Sequence, residues 1–143
     1  MGRRPRRTPR VAVILVDTSV WVDYFNGRAT AHTDRLDELL QREPVAIGDL
    51  ILVEVLQGFR SDRDHARARE VLVELPVFPL LGLAGALGSA DHYRTLRKRG
   101  ITIRKTADVI IATFCIAEGH ALLYADRDFD PVVEHLGLVA VPV

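Results

Sequence analysis

The 143-residue chain carries a single cysteine, Cys115. An intrachain disulfide is thereby excluded, and so is any zinc site that needs paired cysteines. Cys115 falls in a strongly apolar helical stretch, which reads as core packing rather than as a nucleophilic thiol. Long hydrophobic runs are also missing. None approaches the ~20 residues of a membrane helix, and Val11–Val16 is too short for a secretory signal and lacks a small-residue cleavage site. These absences fit a reducing cytoplasm. Internal repeats and low-complexity linkers are lacking, and His32, His65, His92, His120 and His135 are scattered, none at metal-ligand spacing from another. Net charge is absent as well, since 19 basic side chains balance 19 acidic ones.

What is present is enough apolar sequence, 48%, for one ordinary core. The charge balance is uneven along the chain. Arg3, Arg4, Arg6, Arg7 and Arg10 crowd the first ten residues, which leaves nineteen acids against fourteen bases in the rest, a body of about −5. Residues 1–10 read as a basic, disordered extension or an overcalled translation start, with a nucleic-acid-attracting tail as the functional alternative. Residues 11–143 read as a single domain.

Val11–Val16 is a continuous apolar, β-branched run and predicts a buried strand. Thr18 or Ser19 can cap a helix from Val20 to about Phe25, stopped by Asn26-Gly27. Further helices are predicted near Thr33–Arg42, Asp49–Arg60, Asp62–Leu75, Leu83–Arg99 and Thr106–Glu118. Strands are predicted at Pro44–Ile47, Val77–Leu80 and Ala121–Tyr124. Asp130 caps a short helix to about Leu136, and Leu138–Val141 closes the chain as a strand. Short apolar strands alternating with helices predict an α/β domain in three layers, with a central, mostly parallel sheet of about four to five strands flanked by helices.

Four acids do not belong where they stand. Asp17 directly follows the strand VAVILV. Glu54 sits inside LILVEVL, Asp108 inside TADVIIATF, and Asp126 after ALLYA, with Asp128 two residues on. An acid among apolar residues is costly unless it is paired, hydrogen-bonded or bound to a cation. In an open parallel sheet the carboxyl ends of the strands form the ligand-binding edge. Asp17 and Asp126 stand at such ends, and Asp108 lies in the first turn of a helix that starts from the same edge. Singly, each has a bland reading: a helix cap for Asp17, a core-edge ion pair for Glu54, a helix-start acid for Asp108, a turn residue for Asp126 and Asp128. Together they form a set. Converging carboxylates repel one another and raise their pKa values, and a hard divalent cation removes that penalty. Oxygen-only donors without clustered His or Cys point to Mg²⁺ or Mn²⁺.

The stretches VDTSVWVDYF, ILVEVLQGF, TADVIIATFCIAEG and LLYADRDFD, in this order and spacing, make the sequence resemble the PIN-domain nucleases, and within them the VapC-like toxins of bacterial toxin–antitoxin pairs. The resemblance runs from about Val13 onward and leaves out the arginine arm and the detail of the Asp62–Gly100 region. It implies that Asp17, Glu54, Asp108 and Asp126 are the four family acids, that Asp128 is an auxiliary one, and that Thr18 or Ser19 supplies a hydroxyl beside the metal. Ala125 is a departure, because VapC-like chains often carry Asn before the fourth acid. The resemblance further implies endoribonucleolytic cleavage of tRNA, rRNA or mRNA that arrests translation, a homodimer, and inhibition by a small VapB-like antitoxin.

In the mechanism so expected, Mg²⁺ is held by Asp17, Asp108 and Asp126, with Glu54 and Asp128 holding metal-bound water, or with Glu54 as general base. Thr18 and Ser19 position phosphate or water, or simply cap the helix. Arg97, Lys98, Arg99, Arg104 and Lys105 are candidate RNA-facing cations, or else a solvated helix end. Three rivals compete. A receiver-like signalling domain wants adjacent acids after the first strand and a late Lys, and this chain has neither. A haloacid-type phosphatase wants an Asp where Ser19 stands. A non-catalytic PIN scaffold that binds RNA or protein would be favoured by a lost acid, and all four are present.

Overall fold

The computed structural model describes residues 12–143. The arginine arm and Val11 lie outside the described residues. The first strand is accordingly seen as β1, Ile14–Val16. It is followed by α1 (Thr18–Phe25), α2 (Ala31–Arg42), β2 (Val45–Gly48), α3 (Asp49–Gln57), α4 (Asp62–Val73), β3 (Val77–Phe78), α5 (Gly82–Lys98), α6 (Thr106–Glu118), β4 (Ala121–Leu123), a 3₁₀ turn (Arg127–Phe129) and α7 (Asp130–Leu136).

The four strands form one parallel sheet in the order β3-β2-β1-β4. Ile14 pairs with Val45 on one side and with Ala121 on the other. Covered by helices, the central strands are apolar throughout, as a doubly covered parallel sheet requires: Leu15, Val16, Ala46, Ile47, Leu122 and Leu123 are all fully buried. From the helices, Trp21, Ile51, Leu72, Ile111 and Phe129 are buried against them. Each aliphatic side chain sealed this way contributes about 1.5–3 kcal/mol.

The strand order decides where a site can form. The chain steps outward from β1 to β2 and β3, then returns to place β4 on the other side of β1. The connections after β1 and β4 therefore depart in opposite directions and leave a crevice at the carboxyl edge between these two strands, the switch point where open α/β sheets bind ligands.

Three expectations need correction. First, α1 begins at Thr18, because the Asp17 carbonyl already accepts from the Val20 and Trp21 amides at 3.1 and 3.3 Å. Thr18 and Ser19 are therefore helical residues and not caps, and their hydroxyls are available elsewhere. Second, the closing strand Leu138–Val141 reduces to one parallel bridge, Leu122 with Ala140. The Leu122 amide donates to Val139 and the Val141 amide to Leu122. Third, Phe129 occupies the cap position of α7, while Asp130 is its first residue and accepts the Tyr124 hydroxyl at 2.8 Å. By contrast, α6 has the predicted bounds. It is stopped by Gly119, whose φ of +73° is the left-handed conformation that favours glycine at a helix end.

Candidate active site

Asp17 is the residue after β1. Its backbone is extended (φ −68°, ψ 157°), it makes no side-chain capping bond to α1, and it is only 4% exposed. Its Oδ2 instead accepts the Ser19 hydroxyl at 3.0 Å. Burial raises its pKa above the ordinary carboxylate value; the Ser19 hydroxyl opposes that rise and the Glu54 charge adds to it. Thr18, one residue on, donates from Oγ1 to Glu54 Oε1 at 3.0 Å. The helix start after β1 thus holds two acids through two adjacent hydroxyls. Glu54 is half-buried on α3, whose first residue, Asp49, ties it to the next crossover: Asp49 Oδ1 accepts from the Leu50 and Leu80 amides at 2.8 and 3.1 Å.

Asp108 is the third residue of α6 and 6% exposed. Its Oδ2 is buried and has no hydrogen-bond partner among the described residues, a state that an ionised carboxylate resists strongly. Burial is the main reason its pKa is pushed up to about 7; Asp17, Asp126 and Glu54 push in the same direction and only Lys105 pulls back. Asp126 lies past the end of β4 and caps the 3₁₀ turn, its Oδ1 accepting from the Asp128 amide at 2.9 Å. That turn folds Asp128 back, so Asp108, Asp126 and Asp128 each offer an oxygen within 4.8 Å of the others.

The structure therefore brings Asp108, Asp126 and Asp128 into one ligand set. Asp17 stands beside it, close enough to act on Asp108 electrostatically. Glu54 joins the same field through Thr18. The set fits a hard divalent cation on three counts. Its donors are all carboxylate oxygens, one of them is buried without a partner, and mutual repulsion already raises a pKa that a cation would lower.

The candidate cations are divided. Lys105 occupies the cap position of α6, and exposed Arg104 precedes it. Arg97 and Lys98 form the last turn of α5, with the Arg97 guanidinium 5.8 Å from the centre of the Tyr93 ring. Arg99 turns away: its Nη1 donates to the His135 carbonyl at 3.3 Å, at the end of α7. Arg94 and Tyr93 were not singled out from the sequence, although they share a helix face with Arg97 at spacings of three and four residues. Cys115 is buried, its thiol pushed up to about 12 chiefly by burial, as core packing demands.

A parallel α/β domain with carboxylates gathered at its switch point is, as a class, one whose site can hold a cation through oxygen donors. Residues 14–134 match the PIN domain model, and the chain belongs to the PIN-domain family. It is 30% identical over 130 residues to "Ribonuclease VapC11" of Mycobacterium tuberculosis, covering 90% of this chain and 97% of that protein. It is also 30% identical over 125 residues to "Ribonuclease VapC1" of Methanocaldococcus jannaschii, covering 87% and 84%. Its fold is similar to those in DNA-bound VapBC from Salmonella typhimurium (TM-score 0.74, 17% identity, 92% of this chain and 98% of that one) and in VapBC-5 of M. tuberculosis (TM-score 0.68, 18% identity, 93% and 100%). No helix among the described residues is long and apolar enough to cross a membrane.

Proposed function

We propose that this chain is a Mg²⁺-dependent endoribonuclease, the toxin of a VapBC-type pair, which cleaves tRNA, rRNA or mRNA in the cytoplasm and so inhibits translation. One observation carries the reading: a buried Asp108 oxygen without a partner faces a convergent acid set at the sheet's switch point. The ribonuclease names of the VapC relatives support the chemistry and substrate. The VapBC complexes that share this fold support a VapB-like antitoxin as partner. A homodimer follows from the family resemblance alone.

Asp108, Asp126 and Asp128 would hold the cation, with Asp17 completing the negative field. A divalent ion there supplies Lewis acidity, lowering the pKa of a water and offsetting charge on the phosphate. Thr18 engages Oε1 of Glu54 and fixes the carboxylate, so that Oε2 takes the proton of the attacking water. The Ser19 hydroxyl on Asp17 keeps that carboxylate from rotating out of the crevice. Lys105 and Arg104, exposed beside α6, meet the RNA backbone.

The test is cleavage of total RNA by the purified chain with Mg²⁺, with EDTA, and with Asp108→Asn. Discrete fragments that disappear in both controls support the reading. Cutting that survives EDTA and the substitution refutes it. Intact RNA in every arm, from a chain that still binds RNA, would favour the non-catalytic PIN scaffold.

A further inference from the structure

We propose that the groove between α5 and α6 is a nucleobase pocket, which seats one base of the RNA next to the bond being cut; this rests on the ribonuclease reading. The groove encloses about 500 Å³, within the range of small-ligand sites. Ala86, Ala90 and Tyr93 of α5 form one wall, and Val109 and Ile110 of α6 the other. Its position joins it to the carboxylates: Val109 and Ile110 follow Asp108 directly, so the groove and the acid set lie on two flanks of the first turns of one helix. A strand bound at the acids reaches the groove by passing Lys105 and Thr106.

The chemistry of the groove matches a base on a phosphate backbone. Its walls are apolar and carry a tyrosine ring, the surface on which bases of single-stranded RNA stack. Arg94 and Arg97 line it and no acid does, in a chain whose acids and bases are equal in number. The Arg97 guanidinium already stands over the Tyr93 ring. Ser89, 7% exposed, packs under the groove with its hydroxyl out of reach of solvent. A purely apolar occupant would leave the two lining arginines without an anionic partner.

The experiment measures binding of a fluorescein-labelled single-stranded RNA oligonucleotide to the full chain by anisotropy, in EDTA, so that binding is read apart from cleavage. Ala90, exposed on the groove wall, is replaced by Leu to fill the space, and a second variant combines Arg94→Ala with Arg97→Ala. Ala90→Leu is expected to weaken binding roughly tenfold or more without changing its salt dependence. The double arginine variant is expected to lower the slope of log K against log salt by about 1.4, at ~0.7 per phosphate contact on a single strand. An abasic scan of the oligonucleotide should find one position that costs as much as Ala90→Leu and costs nothing further in that variant. Unchanged affinity in Ala90→Leu overturns the pocket. So does a drop in oligomeric mass by sedimentation with RNA binding intact, which would give the groove to a second copy of the chain. Loss of RNA cleavage with this binding pattern preserved would instead sink the nuclease reading and leave the pocket standing.

Discussion

Replacing Asp108 by Asn should stabilise the metal-free protein, an unusual outcome for a buried position next to a core. Asp108 is pushed from 3.8 to about 7 in the fold, first by burial and then by Asp17, Asp126 and Glu54. Each pKa unit corresponds to about 1.36 kcal/mol, so ionising this carboxyl costs the folded state on the order of 4 kcal/mol. The pH dependence has a defined sign. Below the unfolded value both states are protonated and the stability is complete. Between about 4 and about 7 the unfolded chain ionises first, and stability is lost as pH rises toward the folded value. Burial raises Asp17 as well, and that contribution has the same sign. Asn keeps the shape, removes the charge, and offers N–H donors to the neighbouring carboxylates. For a chain of this size each kcal/mol moves Tm by roughly 3 °C, so the variant should melt on the order of 10 °C above the parent in EDTA near pH 8, with the gap closing near pH 4. Excess Mg²⁺ should reverse the order, because only the parent presents three carboxylates to the ion and so gains the larger binding energy in the folded state. Thermal melts by circular dichroism across these conditions decide the matter. Equal melting temperatures in EDTA at alkaline pH, or a gap that does not change with pH, would refute the reasoning.

Other perturbations test the remaining parts. Glu54→Gln should lower RNA cleavage by about 10²-fold or more if Glu54 takes the proton. Thr18→Val, which removes only the hydroxyl on Glu54 Oε1, should lower it roughly tenfold while changing the unfolding free energy by about 1 kcal/mol or less. In Gly48→Ala the new methyl group collides with the Leu80 side chain, so urea unfolding should show a loss of about 1–3 kcal/mol. Asp49→Ala leaves the Leu80 amide without its acceptor and should cost about 1–2 kcal/mol in the same assay.

Much of the architecture was readable because the signals were local. The run Thr106–Glu118 gave α6 its bounds, since apolar periodicity begins at the acid-bearing first turn and Gly119 ends it in a conformation that other residues adopt poorly. The alternation of short apolar strands with helices gave a parallel sheet. Other features were hidden because they depend on hydrogen-bond partners outside the local window. The Asp17 carbonyl starts α1 at Thr18 and turns two supposed caps into hydroxyls that hold Asp17 and Glu54. The last strand comes down to a single bridge with β4. Arg99, one of five neighbouring cations in the sequence, is committed to the end of α7.

The sequence by itself determined which side chains are candidates for chemistry here: acids set into apolar segments carry a cost that calls for a partner, and with one cysteine and scattered histidines the donors on offer are oxygens. Tertiary structure alone decided how those acids are grouped. Strand order β3-β2-β1-β4 opens the crevice between β1 and β4, and the turn after β4 folds Asp128 into the set with Asp108 and Asp126, while Asp17 stands beside it. The physical reason is that spacing along a chain fixes the face and end of an element on which a residue lies, whereas the few ångströms that separate a ligand from a bystander depend on how distant elements pack.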